Sequence, residues 1–156
     1  MRKLENRIAQ TLKTDTRLVV QGRNPDETFG FVNIPPYRGS TVTYPDAQSC
    51  LAGKNRYTYG RRGNPTSEAL ENLWNDLEGS AGTVICPSGA SAVTTAILSA
   101  VKTGDHILVT DSVYRPTRNF CTGLLARLGV ETSYYDPLIG AGIEALIRPN
   151  TRVIYM

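Results

Sequence analysis

The sequence is poor in the residues that build metal and redox sites. It holds one histidine, His106, and three widely separated cysteines, Cys50, Cys86 and Cys121. A zinc site needs closely spaced ligand pairs, and a small secreted scaffold needs an even set of cysteines. The sequence therefore predicts no metal site, no chemistry that depends on a histidine cluster, and a reduced cytoplasmic protein.

The chain also has little net charge and no long apolar run. Its 17 lysines and arginines against 14 aspartates and glutamates leave a formal charge of +3, too weak and dispersed to indicate a nucleic-acid partner. No apolar run approaches the roughly 20 residues that span a bilayer, and residues 1–13 are charged throughout, unlike a secretory signal. With 156 residues, the sequence favours one globular domain, with no nucleic acid or membrane as a partner.

The first sixty residues show little periodicity. Leu4, Ile8 and Leu12 share one helical face and predict a short helix. The following stretch contains prolines that exclude a long helix: Pro25, Pro35, Pro36 and Pro45. We expect residues 1–60 to form an N-terminal helix and an extended arm that lies over its own domain or a partner subunit.

From Asn64 onward, predicted helices and strands alternate. Asn64 can cap a helix that has Pro65 at its first position and ends near Gly79. Downstream, four short apolar strands alternate with helices, the strands at 83–86, 106–110, 130–136 and 151–156, the helices at 89–104, 116–129 and 140–150. This order predicts an α/β fold built from parallel β-α-β units.

The last predicted strand runs to Met156 with no turn or helix after it. Because such a strand leaves an open sheet edge, we expect this chain to be the front part of a longer protein. We also expect incomplete cover over four apolar side chains of the sheet: Leu108, Val109, Val153 and Ile154.

Three stretches carry residues that suit a planar phosphorylated ligand. In parallel α/β folds, ligands lie at the carboxyl ends of strands. The turn CPSGASA (86–92) brings small residues to a helix start, where backbone N–H groups attract an anion, although such a turn is also ordinary turn chemistry. Tyr114, in TDSVYRPT (110–117), offers an aromatic face for stacking, although a loop tyrosine often only packs.

The third stretch is YGRRGNPT, preceded by Tyr57. An extended backbone would place Tyr57, Tyr59 and Arg61 on one side and Arg62 on the other. A tyrosine hydroxyl and an arginine fork two residues apart suit a phosphate. A solvated basic turn explains the same residues, so this stretch alone leaves both interpretations open.

Four motifs in this order resemble the N-terminal part of the pyridoxal-phosphate enzymes of cysteine and methionine metabolism, the trans-sulfuration family: YGRRGNPT, CPSGASAV, GDHILVTDSVYRPT and LGVETSYYDPLIGAGI. The resemblance runs from about Leu12 to the end and is nearest to the bacterial cystathionine β-lyase branch. It implies the aspartate-aminotransferase-like large domain, a three-layer α/β/α fold around a mostly parallel sheet, of which residues 61–156 are the first part.

The resemblance implies pyridoxal 5′-phosphate as cofactor and gives roles to five residues. Gly89 and Ala90 match the turn whose backbone amides bind the cofactor phosphate. Tyr114, the one candidate catalytic residue, matches the tyrosine that stacks on the pyridine ring. Tyr59 and Arg61 match a Tyr-x-Arg pair that reaches the phosphate of a neighbouring subunit.

Other family features differ or lie elsewhere. Many members carry serine where this sequence has Gly60, and the Arg-Arg-Gly that follows matches the β-lyase branch. The family's covalently binding lysine, its ring-nitrogen aspartate and its substrate-carboxylate arginine lie further along than residue 156. Asp111 and Asp136 are instead predicted to serve turns at strand ends.

For the complete enzyme, the resemblance implies β-elimination of L-cystathionine to homocysteine, pyruvate and ammonia. It implies as partners the remaining C-terminal part, further copies of the chain in a dimer of dimers, and a small amino-acid substrate. Cystathionine γ-lyase, cystathionine γ-synthase and methionine γ-lyase remain sibling alternatives. A non-catalytic α/β module that binds phosphate or a protein is the alternative from another class.

Overall fold

The computed structural model describes residues 11–156, which pack as two compact units. The first unit reaches Ile85 and the second is Cys86–Met156. The predicted helix through Leu4 and Ile8 lies outside the described residues. The predicted boundary at residue 60 divides an extended arm from a cofactor-binding domain by their functions, whereas the boundary after Ile85 reflects packing. The boundary at residue 60 therefore stays a prediction.

The first unit consists of short helices joined by irregular chain. Arg17, on its first helix, donates from Nε to Oδ2 of Asp76 at 2.8 Å on its last helix, which ties the two helices together. Within residues 11–60, neither of the two short α-helices shows an apolar helical pattern in the sequence. From residue 11 to Ile85 the helices are α1 (Thr14–Val20), α2 (Ala47–Leu51) and α3 (Pro65–Glu78), with a 3₁₀ turn at Pro25–Glu27.

The longest helix of this unit, α3, has the predicted bounds. The Asn64 side chain accepts hydrogen bonds from the amides of Thr66 and Ser67, and the Ser67 hydroxyl accepts from the Asn64 amide in return. Pro65 occupies the first helical position, where its missing N–H costs nothing. Gly79 ends the helix at φ +63°, a left-handed conformation that glycine adopts readily.

The second unit contains a parallel three-stranded sheet in the order β2-β1-β3. Its chain order alternates helices and strands, which confirms the predicted α/β class. The elements are α4 (Gly89–Ala100), β1 (His106–Thr110), α5 (Arg115–Phe120) with a π-helical turn at Cys121–Leu125, β2 (Glu131–Tyr135), a 3₁₀ helix at Gly140–Leu146, and β3 (Thr151–Tyr155).

The core of this unit lies between β1 and its helices. Ile107 and Val109 pack against Ile97 of α4 and against Phe120 and Leu125 of the α5 region. Every residue of β1 is buried, because it is the central strand.

The prediction that four apolar side chains of the sheet are incompletely covered is therefore correct only on the edge strand. The expectation that Leu108 and Val109 would be poorly covered is wrong, since both lie on the central strand and are fully buried. On the edge strand β3 the expectation holds: Val153 is half-buried and Ile154 is 40% exposed.

The strand predicted at 83–86 is absent. A strand needs a neighbour for its backbone ladder, and none of the three strands pairs with this segment. Val84 is 80% exposed, so the apolar run finds no buried face within the described residues. Across residues 11–156, every helix is too short or too polar to cross a bilayer.

Candidate functional site

The start of α4 presents two backbone donors. Ser88 caps the helix: its Oγ accepts from the Ser91 amide at 3.1 Å, and its carbonyl accepts from the Ala92 amide at 3.0 Å. Gly89 and Ala90 are the first two residues of α4, so their amides have no intrahelical acceptor. The first turn carries no acidic residue, which leaves the partial positive charge of the helix end uncompensated.

The space in front of this turn suits an anion. A Cβ built on Gly89 would meet no other atom within 4 Å, and Gly89 and Ala90 are both exposed. Free amides, positive potential and open space together are what a phosphate group requires. The predicted phosphate-binding residues therefore fit a phosphorylated cofactor.

Tyr114 lies toward the same end of the second unit. Helix α4 packs on β1 and is joined to it by the short segment 101–105, so the two run in opposite directions. Both span roughly 17–18 Å, at about 1.5 Å per helical and 3.3 Å per strand residue. The N-terminus of α4 consequently lies at the carboxyl end of β1, the end from which the chain leads to Tyr114.

The Tyr114 ring is available for a ligand. Tyr114 is the N-cap residue of α5, makes no side-chain cap bond, and is 70% exposed. Its carbonyl accepts from the amides of Thr117 at 2.9 Å and Arg118 at 3.2 Å. The backbone is thus fixed while the ring extends outward, as stacking on a planar ligand would require.

Of the two aspartates predicted to serve turns, Asp136 does so: it accepts from the Leu138 amide at 2.8 Å after β2. Asp111, at the end of β1, instead accepts from the Arg118 side chain, so its predicted turn role stays a prediction.

The arrangement predicted for Tyr57, Tyr59 and Arg61 is wrong. The Arg62 amide donates to the Tyr59 carbonyl at 2.9 Å, so residues 59–62 form a turn and do not alternate faces. The turn depends on Gly60, whose amide bonds the Ser40 carbonyl at 2.8 Å. A Cβ at Gly60 would stand 2.2 Å from the Gly39 carbonyl oxygen, which explains why serine is absent here.

The residues just before the turn have structural partners. Arg56 forms ion pairs with Glu27 at 2.9 Å and Glu68 at 2.8 Å, and its guanidinium lies 5.3 Å from the Tyr57 ring centroid. The Tyr57 hydroxyl donates to Glu68. Desolvation, and then the Glu68 hydrogen bond, raise the pKa of Tyr57 to about 12. Tyr57 and Arg56 are therefore already engaged within the first unit.

The predicted phosphate-binding pair is not engaged in this way. Tyr59 is 46% exposed, and Arg61 and Arg62 are both exposed. Among the residues that the structure describes, no acidic group pairs with Arg61. The pair belongs to the first unit, whereas Gly89, Ala90 and Tyr114 belong to the second. The sequence analysis placed Ser88 in the small-residue turn but did not predict that it caps α4, and it did not predict a role for Arg118.

A buried polar group lies at the opposite end of the sheet. His106 is fully buried on β1, and its ring nitrogens contact Thr151 Oγ1 at 2.8 Å and Ser133 Oγ at 3.0 Å. Burial, and then the nearby Arg148 charge, lower the pKa of His106, while Glu131 opposes this shift. Since its hydrogen bonds join all three strands, His106 serves the sheet rather than the candidate site.

Comparison with known proteins identifies the family. The family described as Cys/Met metabolism PLP-dependent enzyme matches residues 15–156. A Saccharomyces cerevisiae protein named as a candidate cystathionine β-lyase is 54% identical over 141 residues, 90% of this chain and 41% of that protein. Cystathionine β-lyase MetC of Escherichia coli is 41% identical over 149 residues, 92% of this chain and 38% of that protein.

A solved structure agrees with this similarity. The structure of cystathionine γ-lyase from Lactobacillus plantarum complexed with L-serine matches with a TM-score of 0.83 and 33% identity, covering 92% of this chain and 36% of that one. This chain thus spans about two fifths of the length of the curated relatives it matches. It belongs to the family of PLP-dependent enzymes of Cys/Met metabolism.

Proposed function

We propose that this chain provides part of the cofactor site of a carbon–sulfur lyase that cleaves L-cystathionine by β-elimination. The observation that carries the proposal is the start of α4, where the amides of Gly89 and Ala90 face open space. Two relatives with β-lyase names are 54% and 41% identical to this chain, against 37% for a relative named cystathionine γ-lyase, which favours β- over γ-elimination.

In this proposal the second unit binds and orients pyridoxal 5′-phosphate. The amides of Gly89 and Ala90 donate to the phosphate, and the helix end adds attraction for its charge. Tyr114 stacks on the ring and fixes its plane. When bound, the cofactor supplies the electron sink that stabilises charge at the substrate Cα. The products are homocysteine, pyruvate and ammonia.

The first unit serves a neighbouring copy of the chain. We infer that Tyr59 and Arg61 donate to the phosphate of that copy's cofactor. The support is that both side chains are exposed and that Arg61 has no acidic partner among residues 11–156, unlike Arg56. The proposal therefore requires a homo-oligomer; a dimer of dimers in the cytoplasm is the part of it that rests on the family resemblance alone.

Product analysis tests the reaction. Full-length protein supplied with pyridoxal 5′-phosphate and L-cystathionine should release pyruvate faster than 2-oxobutyrate. Mostly 2-oxobutyrate would assign a γ-acting sibling reaction, which the similarity to a γ-lyase structure makes the second candidate. No product from cystathionine or methionine, together with no binding of the cofactor, would favour a non-catalytic module.

A further inference from the structure

Arg118 links three elements around the candidate stacking residue. We propose that Arg118 is a positioning residue that holds the loop 111–114 so that Tyr114 is preorganised for the cofactor ring. This inference rests on the proposed function, because it concerns how firmly Tyr114 is held for stacking. Arg118 makes no contact with Tyr114 through its side chain among the described hydrogen bonds, and it acts through the loop.

The first link closes the loop on itself. From the last turn of α5, Arg118 Nη2 reaches back to both the carbonyl oxygen and the Oδ1 of Asp111, each at 2.6 Å. Asp111 is itself fixed to the neighbouring strand, because its amide donates to the Tyr135 carbonyl at 2.8 Å. The loop that carries Tyr114 therefore has its two ends joined by one side chain.

The second link ties the loop to β2. The Arg118 guanidinium lies 3.9 Å from the centroid of the Tyr134 ring, a cation–π geometry. Asp111 is mostly exposed, so its ion pair alone would contribute little. A guanidinium held at once by a ring, a carbonyl and a carboxylate has a single favourable position, and this fixes the loop more firmly than any one contact.

The consequence for Tyr114 is preorganisation. Its ring is mostly exposed and its side chain caps nothing, so the loop backbone, which places the Cβ from which the ring extends, is the part of its position that the described contacts hold. Ordering a loop when a ligand binds costs affinity, and a loop ordered beforehand avoids that cost. Removing Arg118 should therefore weaken cofactor binding only while the aromatic ring of Tyr114 is present.

A double-mutant cycle on the full-length protein tests this dependence. The dissociation constant of pyridoxal 5′-phosphate is measured for the parent, Arg118→Ala, Tyr114→Ala and the double variant. Arg118→Ala should raise it roughly fivefold, which corresponds to one cation–π contact plus one exposed ion pair. In the Tyr114→Ala background the same change should have no effect. Arg127→Ala is the control, since Arg127 is exposed in the same helical region and pairs with no described acidic group.

The outcomes separate this inference from the proposed function. If the parent does not bind the cofactor, the proposed function and this inference both fail. If the parent binds it and Arg118→Ala weakens binding equally with and without Tyr114, Arg118 has only a structural role. Amide hydrogen exchange in the cofactor-free protein gives a second test. Arg118→Ala should speed exchange at the hydrogen-bonded amides of Asp111 and Val113 but not within β1, and unchanged exchange at both residues would also overturn the inference.

Discussion

The two units of the chain are stabilised differently. Of the described residues up to Ile85, only Pro25 and Thr28 are buried, and ion pairs and helix caps hold the unit together. In the second unit, a fully buried central strand packs against two helices. One unit is organised by polar contacts near its surface and the other by an apolar core.

This difference matches the proposed division of roles. The second unit offers backbone amides and an aromatic ring from helix starts that rest on a packed sheet, an arrangement suited to positioning a ligand. The first unit offers Tyr59 and Arg61 from an exposed turn. Residues that reach another subunit must be exposed in their own chain.

The largest expected effect concerns the core of the second unit. Leu125→Ala should lower the free energy of unfolding of the full-length protein by about 2–5 kcal/mol, because it leaves a cavity under a fully buried side chain. Leu51→Ala is the control: Leu51 is 90% exposed in the first unit, and the expected change is below about 0.5 kcal/mol. Urea denaturation measures both. Equal losses would contradict the contrast between the two units.

The next effect concerns the exposed turn. Arg61→Ala should weaken retention of pyridoxal 5′-phosphate by about 1.5–3 kcal/mol, the contribution of a hydrogen bond to a charged group. Arg62→Ala removes the same charge from the adjacent position and should change retention much less. Equilibrium dialysis of the two variants decides. Equal losses of cofactor retention in the two variants would show that the turn acts only through nonspecific positive charge.

A smaller effect concerns the ring of Tyr114. Tyr114→Phe should retain the cofactor, whereas Tyr114→Ala should lose about 0.5–1.5 kcal/mol of binding beyond the buried area, because the ring face is what stacks. Absorbance titration with the cofactor measures both. If the Tyr114→Phe variant binds the cofactor as poorly as the Tyr114→Ala variant, the Tyr114 hydroxyl rather than its ring is what contributes to binding.

The smallest effect is a pH dependence specific to the second unit. Burial keeps the pKa of His106 below its usual value in the folded protein, so below about pH 6.5 the unfolded chain takes up a proton that the folded chain does not. Stability from this group is therefore present above that pH and is lost as the pH falls through it. Thermal melts from pH 8 to 5 should show a shallower loss for His106→Gln. An unchanged slope would show that His106 does not contribute.

Local signals in the sequence predicted much of the fold. Asn64, Pro65 and Gly79 define α3 through contacts within a few residues, and the apolar runs of β1 and β3 formed strands. The run at 83–86 did not, because a strand depends on a partner that local sequence does not specify. Residues 59–62 form a turn in which the Gly60 amide donates to Ser40, 20 positions earlier, a contact that alternation of side chains cannot predict.

The candidate site likewise has a part that local sequence indicates and a part that depends on contacts between distant residues. Gly89, Ala90 and Tyr114 could be proposed from the sequence because they lie at recognisable helix starts, and their role in binding stays a prediction. The structural role of Arg118 could not be proposed in this way, since it depends on Tyr134 lying on the neighbouring strand. Motifs identify the groups that could bind a ligand, whereas packing determines how firmly they are held.

A mixed-subunit experiment tests most directly whether the two units serve different sites. Full-length Arg61→Ala and Tyr114→Ala proteins are unfolded together, refolded as a mixture, and titrated with pyridoxal 5′-phosphate. If Arg61 acts on its neighbour's cofactor, one site of each mixed dimer combines an intact Tyr114 with an intact Arg61 from the other chain. About one site in four should then bind as tightly as the parent, because random pairing of two chains makes half the dimers mixed. If no site regains parental affinity, Arg61 serves its own subunit and the division between the units is wrong.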